Sequence, residues 1–119
     1  MADPLDRLRA LCLSLPEATE QVAWGEPTFR VKKKIFAMYA SAGNHHGKGR
    51  NAVWLSAALG VQEFLVGSDP ETYFVPPYAG VNGWIGVDLW RISDEDLRGH
   101  VVESYCRIAP KKLAGLVDG

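Results

Sequence analysis

Between Pro27 and Gln62 this chain has neither aspartate nor glutamate. The same window holds Arg30, Lys32, Lys33, Lys34, Lys48 and Arg50, so a formal total of −1 leaves −7 on the remainder. The near-neutral total argues against general adhesion to nucleic acid, while the local excess leaves one basic patch possible. Cysteine is scarce. Cys12 and Cys106 are the two, each in an expected helix with apolar neighbours, which reads as buried free thiols in a reducing compartment. No apolar stretch approaches the roughly 18 residues of a membrane span. The opening MADPLDRLRALCLSL carries two aspartates and no long apolar run, so it does not read as a signal peptide. The expectation is a cytoplasmic protein with no membrane partner.

What is present suffices for one core. The 119 residues are 47% hydrophobic and 23% charged, near the globular average, and bury a core without metals or disulfides. There are no internal repeats and no linker, so residues 1–119 form one domain. Asp3 and Pro4 open a helix as cap and first turn. Leu5, Leu8, Cys12 and Leu15 form its apolar stripe, Arg7 and Arg9 face water, and Pro16 ends it.

Glu20–Ala23 is a first strand, Trp24-Gly25 a bend, and Thr28–Val31 a second strand. Lys32-Lys33 is a hairpin tip without the Asn-Gly or Asp-Gly that usually marks one. Ile35–Ala40 follows as a strand apolar on both faces, with Ile35, Ala37 and Tyr39 opposite Phe36 and Met38. SAGNHHGKGR is a loop. Asn51–Ser56 is a strand and Ala57–Val66 a short helix. Thr72–Val75 is extended, and Pro76-Pro77-Tyr78 is a rigid turn, since two successive residues lack a donor. Asn82-Gly83 signals a hairpin. Trp84–Trp90 is a strand with Ile85, Val87 and Leu89 on one face. Ser93 caps a long final helix whose first turn is acidic. The layout is α+β: an antiparallel sheet with the N- and C-terminal helices packed on one face.

Three segments, LPEATEQVAWGEPTFRVKKKIFA, PPYAGVNGWIGVDL and SYCRIAPKKL, together resemble the MmcQ/YjbR-like family over nearly the whole chain. The shared pieces are Trp24-Gly25 with Pro27, Phe29-Arg30-Val31, Lys34-Ile35-Phe36-Ala37, Tyr78, Gly83-Trp84, Ser104-Tyr105, and Ala109 with Lys111. The resemblance implies a CyaY-like (frataxin) shape and a double-wing DNA-binding role. It brings no established reaction and no agreed catalytic residues. One departure is Lys33, where a glycine is expected; it enlarges the basic cluster.

Two binding readings follow, from different classes. In the first, a hairpin with Arg30, Lys32, Lys33 and Lys34 beside a loop with Lys48 and Arg50 contacts DNA phosphates without catalysis. Against it stands an edge hairpin merely blunted by lysine. In the second, an aromatic surface near Pro76-Pro77-Tyr78, with Trp24, Tyr78 and Trp84, takes a protein or a small ligand, and Arg30 anchors an anion. Catalysis has little to stand on. His100, Glu103 and Ser104 share a helix surface, not a cleft, and GNHHGKGR lacks the spacing of a phosphate-binding loop. His45-His46 without a second cluster is no metal site. The chain is expected to act as a monomer, without cofactor, metal or enzymatic activity.

Overall fold

The computed structural model describes residues 3–43 and 50–117. Among the described residues four α-helices, α1 (Pro4–Leu13), α2 (Val61–Ser68), α3 (Asp94–Ile108) and α4 (Lys111–Ala114), accompany six strands. The strands are β1 (Thr19–Ala23), β2 (Glu26–Val31), β3 (Lys34–Ala40), β4 (Ala52–Leu55), β5 (Tyr73–Phe74) and β6 (Ile85–Asp88). They form one antiparallel sheet in the order β1-β2-β3-β4-β6-β5. None of the described helices is long and apolar enough to cross a membrane.

One face of the sheet is covered by α1 and α3. Phe29, Val31, Ala37, Val53, Leu55, Ile85 and Val87 meet Leu8, Cys12, Leu97, Val101 and Tyr105 there. The α1 stripe is buried as its spacing predicts, and Asp3 Oδ1 accepts from Leu5 N at 2.8 Å. Ser93 caps α3, its Oγ accepting from Asp96 N at 3.1 Å. Burial pushes the Cys12 thiol far up, so it stays an inert hydrophobe. Arg7 does not face water. Its guanidinium donates to the carbonyls of Leu89 (2.5 Å) and Ile92 (2.7 Å) and to Asp94 (2.6 Å), pinning α1 to the start of α3. It thereby satisfies two backbone carbonyls of the segment between β6 and α3.

Both two-residue hairpin turns take positive φ at both central residues, the mark of type I′. In the first these are Trp24 (54°) and Gly25 (78°); in the second, Lys32 (51°) and Lys33 (68°). Asn82-Gly83 is not a hairpin turn. It ends a 3-10 helix over Ala79–Asn82, with Gly83 in the left-handed region as its cap.

The strand β3 also departs from simple alternation. Its pairing with β2 shifts by one residue, from Phe29↔Ala37 to Arg30↔Ile35. This bulge turns Phe36 into the helix-side core beside Ala37 and Tyr39 and sends Ile35 to the other face with Met38. The strict alternation of Ile35 with Ala37 and Tyr39 is thereby corrected. The fully buried Ser104 of α3 stabilises the irregularity. Its Oγ donates to Phe36 O at 2.5 Å and accepts from Ser56 N at 2.9 Å, just where the β3–β4 ladder stops.

A histidine braces the far edge of the sheet. Tyr73 Oη lies 2.8 Å from His100 Nε2, joining the two-residue strand β5 to α3. Burial holds His100 below the ordinary histidine value, against the pull of Asp96 and Glu103. The unfolded chain therefore takes up a proton on this residue before the folded one does. Stability is full above about pH 6.5 and falls as pH drops below it. Urea midpoints at about pH 7.5 and about pH 5.5 should fall less for His100→Gln than for the parent. An equal fall in both would remove His100 from the acid response.

Candidate functional site: an aromatic groove on the open face

The second face of the sheet carries a smaller cluster of its own, and among the described residues none of the α-helices packs on it. Cross-strand register places Thr28, Met38, Trp54 and Gly86 in one row there. Gly86 is required by close approach, because a Cβ at this position would lie 2.5 Å from the Phe74 ring. Phe74 thus lies flat over β6 and closes a small second cluster with Met38, Ala40, Ala52 and Trp54.

The segment from Pro76 to Trp84 rises beside this row and makes the opposite wall. Gln62 of α2 holds it, donating through Nε2 to Gly80 O (2.8 Å) and Trp84 O (2.7 Å). Between wall and sheet lies a groove of about 550 Å³ lined by Ile35, Met38, Trp54, Tyr78, Ala79 and Trp84, with Trp24 at its rim. Almost all of its lining is apolar. The volume falls within the range of about 300–1,000 Å³ typical of small-molecule sites.

Two rim aromatics stand on costly backbone. Trp24, 67% exposed, has φ 54° in a turn that prefers asparagine or glycine there. Tyr78, 74% exposed, has φ 64° and ψ −62°, and the next amide, Ala79 N, donates to Pro77 O at 2.7 Å. That is a γ-turn of the rare positive-φ kind. Each such residue costs on the order of 1–3 kcal/mol and persists only where surrounding structure holds it.

Trp24, Tyr78 and Trp84, grouped on sequence grounds as a possible ligand surface, therefore meet in one groove. Ile35, Met38, Trp54 and Ala79 were not foreseen as members. The outward alternation of Met38 and Trp54 was readable, but Ile35 arrives only through the bulge.

The cations of the acid-free window are not brought together among the described residues. Lys32, Lys33 and Lys34 sit at the β2–β3 turn, all exposed. Lys32 pairs with Glu17 at 2.8 Å. Lys34 pairs in register with Val31, on the helix-side face, whereas Arg30 pairs with Ile35, on the groove face. Arg50 lies by the opposite end of β3, about 20 Å from the turn at roughly 3.3 Å per residue. It donates to Glu71 O (3.0 Å), approaches Asp88 at 4.0 Å, and stacks 5.0 Å from the Phe74 ring centre. Lys48, with His45 and His46, lies outside the described residues.

A family model described as YjbR matches residues 13–107. The chain belongs to the YjbR family. Among solved structures it is similar to the Deinococcus radiodurans protein DR2400, which carries the domain DUF419. The two share 19% identity over 91% of this chain and 82% of the other, with a TM-score of 0.73, a likeness of fold. No curated protein matches the chain. In this YjbR chain the matched span holds the bulge, its clamp Ser104 and every groove residue, from Trp24 to Trp84.

Proposed function

We propose that this YjbR protein is a non-catalytic binding module whose site is the aromatic groove, and that its ligand is a small, flat, largely apolar molecule. The observation that carries the reading is the pair Trp24 and Tyr78. Two large aromatics are left exposed on strained backbone at the rim of one preformed apolar groove. Strain and exposure together disfavour folding, and neither helps pack the core. Three tryptophans line or border the groove, so occupancy should alter intrinsic fluorescence. Titration with the neutral probe N-phenyl-1-naphthylamine should quench tryptophan emission saturably, with an affinity unchanged between about 50 mM and about 500 mM salt. Absence of saturable quenching by this probe would overturn the reading.

A second reading keeps DNA as the partner. It rests on Lys33 and Lys34, exposed at the tip of a two-residue turn beside Lys32, where they can reach phosphates without burial of the sheet. Three lysines acting on three phosphates give a log–log salt slope of roughly −2.7 for duplex DNA. Duplex binding with that slope, lost in the triple alanine variant of Lys32, Lys33 and Lys34, would support this reading. A flat salt response would remove it.

A further inference from the structure

A charged side chain shares the sheet face on which the groove is built. Arg30 lies on the groove face of β2, paired in register with Ile35, which lines the groove. Its Nε donates to Thr28 Oγ1 at 3.1 Å. Thr28 is fully buried, donates its hydroxyl hydrogen to Gln21 O at 2.5 Å, and stands in register with Met38 in the groove wall. The Arg30 Nε bond turns the guanidinium back along β2, toward Thr28. Among the described residues no carboxylate lies within ion-pair distance of Arg30. The other charged side chain of β2 is Glu26, at the far end of the same face. It is buried, and its Oε2 accepts from Ser41 N (2.7 Å) and Ser41 Oγ (3.0 Å). The face therefore offers an oriented cation at one end and a carboxylate already engaged at the other.

Resting on the groove as the ligand site, we propose that the ligand is a compact aromatic or apolar molecule bearing one oxyanion group. Its ring system lies in the groove among the aromatic walls, and its oxyanion meets the Arg30 fork. A guanidinium presents paired donors in a plane that matches carboxylate, sulfonate or phosphate oxygens. Thr28, by occupying Nε, leaves the two terminal nitrogens of the fork for that task. Apolar walls would give affinity for the ring, and the arginine would give orientation and selectivity.

The test compares probes with one ring system. N-phenyl-1-naphthylamine is neutral, and 1-anilinonaphthalene-8-sulfonate adds an anion to the same body. The sulfonate should bind the parent protein about tenfold or more tightly, the increment expected of a charge-assisted hydrogen bond. That advantage should shrink as salt is raised and vanish in Arg30→Gln, while the neutral probe binds parent and variant alike. Calorimetry with 1-naphthoate and 1-naphthyl phosphate against 1-naphthol then separates a carboxylate ligand from a phosphate one. Equal affinity for neutral and anionic probes, or an anionic advantage that survives Arg30→Gln, would overturn the inference and leave the groove standing. Failure of the neutral probe as well would overturn the groove with it. Should Arg30→Gln fold poorly, the salt dependence of the parent's sulfonate advantage decides alone, since a flat dependence is incompatible with an ionic anchor.

Discussion

Replacing Ser104 by alanine is expected to cost about 3 kcal/mol and to lower the melting temperature by roughly 10 °C. The side chain is small, so little packing is lost. The cost comes from what the hydroxyl holds: Phe36 O, which it satisfies at 2.5 Å, and Ser56 N, which it accepts at 2.9 Å. Both bonds are buried, and each abandoned backbone group costs on the order of 1–3 kcal/mol. Urea unfolding measures the loss, and the probe titration measures a second consequence. The Phe36 carbonyl belongs to the bulge that delivers Ile35 to the groove. If the bulge relaxes, β3 regains alternation and Ile35 leaves the groove face. Ser104→Ala should therefore weaken neutral-probe binding under conditions where the variant is still folded. A stability loss under about 1 kcal/mol would mean that the two backbone groups find other partners.

The same bulge explains where reading the sequence stops. Periodicity placed all six strands within a residue or two of their observed limits. The caps Asp3 and Ser93 were legible because capping is chemistry between near neighbours. So were the helix-side rows Ile85, Val87, Leu89 and Leu8, Cys12. The bulge was not, because nothing in KIFAMYA marks an extra residue; it is fixed by a serine far along the chain. Helix α2 starts later than expected, at Val61, because Gly60 takes φ 88° and stands outside it as the cap. Asn82-Gly83 misled because the dipeptide suits any left-handed position, and here Gly83 fills one at the end of a 3-10 helix. The charge window was equally visible, but its geometry was not. Cations close in sequence part company when a hairpin turns at Lys32-Lys33 and when adjacent strand positions point to opposite faces. Trp24, Tyr78 and Trp84 come together where the basic residues scatter, because all three lie at turns or strand ends that project over one face.

Substituting Trp24 by asparagine should improve the fold and damage the site. Asparagine tolerates the left-handed region, and Asn-Gly is the preferred pair for a type I′ turn. With φ 54° and 67% exposure, Trp24 contributes strain and little burial. Its replacement should raise stability by about 1 kcal/mol, or the melting temperature by roughly 4 °C. The groove loses a rim aromatic in the same step, so the neutral probe should bind about tenfold more weakly. Lys33→Gly provides the matched control at the other end of β2. It corrects the same turn chemistry, at φ 68°, and should stabilise by about 0.5–1 kcal/mol, yet it touches no groove residue and should leave probe affinity unaltered. Opposite movements of stability and affinity in the first variant, with stability alone moving in the second, are what a strained aromatic kept for binding requires. If Trp24→Asn instead lowers stability, the indole is a packing residue, and the main support for the groove as a binding site is removed.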